Sequence, residues 1–179
     1  MTDQTGSSTP SGSNPAAGPS DEALVITRVL DAPRELVWRV WTEPEHVKCW
    51  HGPKGCTAPV ARSDLRVGGT YLYAMRSPDG QDFWSTGSYR EVAPPERIVA
   101  TDSFSDPEGN VVPASQYGMA GDWPLELLTT VTFEEAGGKT RLTLQHEGLP
   151  AGEQREMAGY GWNESLDKLE SCLAKAKPS

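Results

Sequence analysis

"VTFEEAGGKTRLTLQHEGLPAGEQREMAGYGWNESLDKLESCLAKA", residues 131–176, changes its apolar period once, and that change decides the fold. Up to Gly148 the pattern alternates. Val131 and Phe133 share one side of a strand with the preceding Leu127, and Leu142, Leu144 and His146 share one side of the next, opposite Arg141, Thr143 and Gln145. Gly137-Gly138 between them suits a tight hairpin, where positive φ is required. One apolar and one polar face describe a half-buried antiparallel sheet. Beyond Gly148 the period lengthens: Ala158, Trp162, Leu166, Leu169 and Leu173 recur at steps of three and four, the stripe of a long amphipathic helix. Gly159 and Gly161 interrupt that helix at a cost of about 1 kcal/mol each relative to alanine. A geometric reason is therefore expected, either close approach of the sheet or volume left for a ligand.

Upstream, "ALVITRVL" (23–30) reads as a strand and "DAPRELVWRVW" (31–41) as a helix. Asp31 is the expected cap, Pro33 has its φ already set, and Glu35 faces the positive helix end. Leu36, Val37, Val40 and Trp41 form its apolar stripe. "TEPE" (42–45) has the form of a capping box, Thr42 with Glu45, opening a second short helix that ends before Gly52-Pro53. Strands follow at 57–63, 69–76, 82–92, 97–105, 125–135 and 140–148, with type I turns at "SPDG" (77–80) and "DPEG" (106–109). The predicted fold is α+β: a curved antiparallel sheet gripping a long C-terminal helix, with two short helices after the first strand. A helix touches a curved sheet along a line only, so a cavity between them is expected.

With 179 residues, 36% of them hydrophobic, the chain suits one domain, taken as 22–176. Residues 1–21, rich in Ser, Gly, Pro and Thr, cannot bury enough apolar surface to offset their ordering and are expected to form a disordered tail. The formal charge of −9 opposes binding to nucleic acid or to an anionic membrane. No apolar run approaches membrane-spanning length, so no membrane insertion is expected. Cys49, Cys56 and Cys172 make an odd count, read as reduced thiols in a cytoplasmic protein without a disulfide.

"ITRVLDAPRELVWRVWTEPEHVKCW" (26–50), "DLRVGGTYLY" (64–73), "YREVAPPERIV" (89–99), "VTFEEAGGKTRLTLQHEG" (131–148) and "GWNESLDKL" (161–169) together resemble the START-like helix-grip superfamily (SRPBCC). The nearer resemblance is to its branch similar to the C-terminal domain of the activator of the heat-shock-protein-90 ATPase. It spans about Leu24 to Leu173. It implies a sheet gripping the last helix around a hydrophobic cavity for lipids, polyketides or other apolar molecules. Two departures stand out. Trp50 is followed by His51 where similar proteins often have a second tryptophan, and residues 1–23 hold no counterpart of the extra N-terminal domain through which the eukaryotic co-chaperones act.

"EHVKCWHGPKGC" (45–56) brings His46, Cys49, His51 and Cys56 together, yet a single H-x2-C-x-H-x4-C run lacks the two separated ligand pairs of a structural zinc site, so no metal is expected. Trp50 either lines the cavity or seals the core edge. Tyr71, Tyr73 and Met75 share one strand face, which the resemblance turns inward, as pocket lining or core. His146 is either a hydrogen-bonded core residue or an acid–base group; no nucleophile accompanies it by spacing, and no partner, Asp102 included, can be assigned to it from sequence. Residues 110–124 form a long connection carrying Tyr117, Met119 and Trp123, a lid or a subunit contact. The expected ligand-binding set is Trp50, Tyr71, Tyr73, Met75, Tyr117, Trp123, His146, Gly161 and Trp162, with no catalytic residue and no cofactor. The expected partner is an apolar small molecule. The alternatives are a chaperone-associated or homodimer contact, and an enzyme of the cyclase or hydratase kind.

Overall fold

The computed structural model describes residues 23–176; the tail expected at 1–21 lies outside them. The elements run β1 (Ala23–Leu30), α1 (Arg34–Thr42), α2 (Pro44–Trp50), β2 (Thr57–Ser63), β3 (Thr70–Arg76), β4 (Asp82–Ala93), β5 (Arg97–Ser105), β6 (Leu127–Ala136), β7 (Lys139–Glu147) and α3 (Glu153–Ala176). A single 3₁₀ turn at Ala114–Tyr117 lies between β5 and β6. Every strand predicted from alternation is present, with ends displaced by at most a residue or two.

The seven strands form one antiparallel sheet in the order β1-β7-β6-β5-β4-β3-β2. From β2 to β7 it is a meander, and α1 and α2 carry the chain from β1 at one edge to β2 at the other. Strand twist accumulates over seven strands, and register shifts at Thr57/Val60 and Tyr89/Glu91 bend it further. The result is a concave face that α3 crosses.

Two expected helix caps are corrected. Pro33, in extended conformation, is the N-cap of α1, so Asp31 falls two residues upstream of the position assigned to it. Pro44 has no N–H to give and fits the first helical position, which sets the start of α2 and makes Glu43 its N-cap. Thr42 therefore belongs to α1, where its Oγ1 donates to Trp38 O at 2.7 Å instead of accepting from the amide of Glu45.

The predicted α3 stripe divides in two. Leu166, Leu169 and Leu173 are buried in one core cluster with Val37, Trp38, Phe133 and Leu142, where Trp38 meets Phe133 edge-on at 5.5 Å. Ala158 and Trp162, in the N-terminal half, instead face a hollow. Gly159 lets α3 approach the edge strand, since a Cβ there would meet Leu24 Cδ1 at 3.4 Å. A Cβ on Gly161 would stand 3.4 Å from Pro53 Cγ.

The expectation of three reduced thiols is overturned by a disulfide between Cys49 of α2 and Cys172 of α3, whose Cα atoms are 6.3 Å apart; Cys56 is the free cysteine. The partners are 123 residues apart, and only the packing of α3 on α2 brings them together. The cysteine count thus no longer argues for a reducing compartment. No helix among the described residues is long and apolar enough to cross a membrane.

Closing so long a loop should contribute about 2–4 kcal/mol. Under denaturing, non-reducing conditions a maleimide should therefore label Cys56 alone, and Cys49→Ser, at an exposed position, should lower the urea-derived unfolding free energy by that amount. Labelling of all three thiols would remove the bridge from the account.

Candidate functional site

Between the concave face and the N-terminal half of α3 lies a cavity of about 330 Å³, within the range of small-molecule sites. Its wall is mostly apolar and aromatic. Eight of the nine residues proposed from sequence stand in it: Trp50, Tyr71, Tyr73, Met75, Trp123, His146, Gly161 and Trp162. Tyr117 does not. Its ring packs between Phe83 and Phe104, each 5.5 Å away, and its hydroxyl donates to Ser105 O while accepting from Trp84 N–H. Tyr117 thereby fixes the 110–124 connection to β4 and β5, and Trp123 then reaches the wall edge-on to Phe104 at 5.7 Å.

Three indoles form one side. Trp41 stacks on Trp50 at 4.5 Å and lies nearly parallel to Trp162 at 6.2 Å. Trp50 both seals and lines: it is 3% exposed, and its Nε1–H is satisfied by Val40 O at 2.8 Å. On the opposite side Tyr71 and Tyr73 lie 4.8 Å apart, as the period of two along β3 requires. Burial raises both phenols well above their ordinary range, helped by Asp102 for Tyr71 and by Tyr89 for Tyr73, so both are hydrogen-bond donors at neutral pH.

A polar group interrupts the apolar wall. Trp162 Nε1–H donates to His146 Nδ1 at 3.1 Å. An indole only donates, so Nδ1 offers its lone pair and the ring proton sits on Nε2. That nitrogen is 3.1 Å from Asp102 Oδ2, yet its N–H is not aimed along the line and Nε2 has no hydrogen-bond acceptor. Asp102 Oδ1 is reached by the Tyr71 hydroxyl at 3.1 Å, which is also 2.9 Å from Thr101 O. Burial alone would raise the Asp102 carboxyl; His146, Tyr71 and His51 together outweigh it and hold the carboxyl below its ordinary value.

His51, considered from sequence as a conceivable metal ligand and as the residue in place of a second tryptophan, also lines the cavity, its ring 5.2 Å from Tyr73. Burial lowers its pKa to about 4, against the pull of Asp102 and with a smaller push from Lys168. The loop carrying it is fastened by Lys168 of α3, whose Nζ donates to Gly52 O at 3.0 Å and Cys56 O at 3.1 Å, with His51 O and Pro53 O at 3.4 Å. His46 lies 3.4 Å from Glu43 and Cys49 is bridged to Cys172, so two of the four conceivable zinc donors are committed elsewhere.

Sequence reasoning missed Trp41, His51 and Asp102 as wall residues. A signal for Asp102 was present, because alternation along β5 puts it on the same face as Ile98, Ala100 and Phe104, an acid among inward apolar groups. Nothing in the sequence pairs it with His146, which comes from β7, two strands away.

Residues 31–174 match the family described as "Activator of Hsp90 ATPase homolog 1-like protein". Among solved structures, a protein from Nitrosomonas europaea is similar over 88% of this chain and 97% of its own, at 28% identity and a TM-score of 0.72. A protein from Chromobacterium violaceum is 30% identical over 86% and 97%, with a TM-score of 0.71. The AHSA1 protein of Silicibacter pomeroyi is 25% identical over 87% and 99%, with a TM-score of 0.69. No curated protein matches the chain. A match over most of its length, the helix-grip architecture and the cavity beneath α3 agree: the chain belongs to the activator of Hsp90 ATPase homolog 1-like family, within the START-like superfamily.

Proposed function

We propose that this protein binds an apolar small molecule, with an aromatic or polyketide-like body, in the cavity between the sheet and α3. The observation that carries the reading is the cavity itself, about 330 Å³ walled by aromatic and aliphatic side chains. An apolar body that loses roughly 300 Å² of surface there gains about 7 kcal/mol at about 25 cal/mol per Å². Lost translational and rotational freedom offsets part of this. The Trp50 and Trp162 indoles and the Tyr71 phenol are already directed at protein acceptors, so there a ligand meets rings rather than competing donors.

Five of the six tryptophans line the cavity, Trp38 being the exception. Titration with N-phenylnaphthylamine should quench the intrinsic fluorescence saturably and raise Tm, since a ligand that favours the native state stabilises it by mass action. Absence of both responses, for this probe and for other apolar aromatics of similar size, would sink the proposal.

At Gly161 a new Cβ already touches Pro53, so a larger side chain must extend along the wall. Gly161→Leu is expected to weaken probe binding at least about tenfold, equivalent to 1.4 kcal/mol, while its far-ultraviolet circular dichroism stays that of the parent. Unchanged affinity would mean that the ligand lies elsewhere.

The cavity also makes stability depend on pH. An unfolded histidine takes up a proton near pH 6.5, whereas native His51 does so only near 4, so the unfolded state binds more protons between these values. Stability should accordingly fall as pH drops from 6.5 to 4. Asp102, whose native pKa is depressed, contributes stability above its unfolded pKa and loses it only at more acid pH. His51→Gln should flatten the dependence between pH 6.5 and 4 in urea titrations; an unaltered slope would contradict the burial of a neutral imidazole.

A further inference from the structure

We infer that the ligand suited to this cavity carries a protonated amine on its apolar body, with Asp102 as counter-ion and the surrounding rings as its cage. The inference rests on the reading of the cavity as an apolar-ligand site and adds the chemistry of the polar end.

Charge balance is the first argument. Asp102 is the one carboxylate in the cavity wall among the described residues, and neither lysine nor arginine accompanies it there. The groups that hold its carboxyl below the ordinary value, His146, Tyr71 and His51, do so without a full positive charge at neutral pH. Lys168 is engaged with backbone carbonyls of the 51–56 loop. His146 carries a single ring proton, because Trp162 requires the lone pair of Nδ1. His51 is uncharged at neutral pH through burial. A negative charge in an apolar wall with no cation opposite it is unfavourable, and a cationic ligand relieves that on binding.

Hydrogen-bond capacity is the second. An ionised carboxylate offers about four lone-pair positions. One is met by the Tyr71 hydroxyl, which is shared with Thr101 O, and the His146 Nε2–H is misdirected although only 3.1 Å away. About a quarter of the Asp102 side chain, 26%, stays exposed, and it opens on the cavity. An ammonium presents several donors to the remaining positions. A carboxylate ligand presents none and adds repulsion, which disfavours simple fatty acids.

The rings are the third. Tyr71 touches Asp102 directly, Tyr73 lies against Tyr71, and Trp162 donates to His146, whose Nε2 stands 3.1 Å from Asp102. Faces of this kind attract a cation held beside them and accept the apolar remainder of the same molecule. The chain's formal charge of −9 favours the approach of cations from solution in the same sense.

Three probes of one shape test this: phenylbutylamine, phenylbutanol and phenylbutyrate, titrated at pH 7 and read by tryptophan fluorescence. The amine should bind at least about tenfold more tightly than the alcohol, and the carboxylate most weakly. Asp102→Asn, which keeps the shape and an acceptor for Tyr71, should bring amine and alcohol to equal affinity. Alcohol binding as tightly as amine in the parent protein, tighter binding of the carboxylate, or an amine preference that survives in Asp102→Asn would each overturn the inference while leaving the apolar-ligand reading intact. Failure of all three probes to bind would overturn both. Because the ranking is measured on the parent protein, it decides the matter even if the variant does not fold.

Discussion

The hollow depends on where α3 is held. Its C-terminal half is seated in the core through Leu166, Leu169 and Leu173, and, apart from the Trp162 indole on His146 of β7, its polar and covalent ties are at the edges of the concave face. Arg28 of β1 reaches Asp167 at 2.6 Å and Asn163 Oδ1 at 3.0 Å on one side. On the other, the Cys49–Cys172 bridge and the Lys168 ammonium attach it to α2 and the loop that follows. Collapse of the helix onto the central strands would require these ties to break. The space beneath the N-terminal half of α3 is thus kept open by covalent and polar contacts at its rim, since apolar contacts alone would favour closing it.

A structure that maintains such a space also determines what sits on its wall. Most hydrogen-bonding groups there are tied to the protein: Trp50 to Val40 O, Trp162 to His146 and Tyr71 to Thr101 O. Each tie fixes a ring plane and removes a donor from competition with the ligand. Asp102 and the Nε2–H of His146 are the members left incompletely matched, and they are neighbours. In a low-dielectric surrounding an incompletely matched pair is an expensive feature, so the polar end is the region most altered by what binds.

The fold was legible because its signals are local. Period two with glycine turns fixed the strands, and the change to a period near 3.6 at Gly148 fixed α3. The two caps show where local reading fails: "DAP" and "TEPE" each contain an acceptable side-chain oxygen, yet in each the proline sets the boundary. The site was legible only in part. Tyr71, Tyr73 and Met75 followed from alternation once the inner face was known. Trp41 was hidden in the stripe of α1, since an indole that packs the core and one that walls a cavity obey the same period. Asp102 and His146, Cys49 and Cys172, and Lys168 with its four carbonyls are pairings made by topology, over separations at which sequence carries no distance information.

The wall has two ends of different character, and this bears on selectivity. Around Asp102 the rings of Tyr71, His146 and Trp162 are each held by a hydrogen bond, a preorganised arrangement suited to discriminating by charge and donor geometry. Around Gly52 the lining is Met75, whose Cγ and Sδ come so close that a Cβ at Gly52 would stand 2.8 Å from each; glycine there, at φ +97, is what lets the flexible thioether lie flat. A side chain with several accessible rotamers accepts different apolar outlines at little cost, whereas a fixed carboxylate does not accept a different charge. On the proposed reading the rigid end would govern the chemical class of ligand and the methionine end its size.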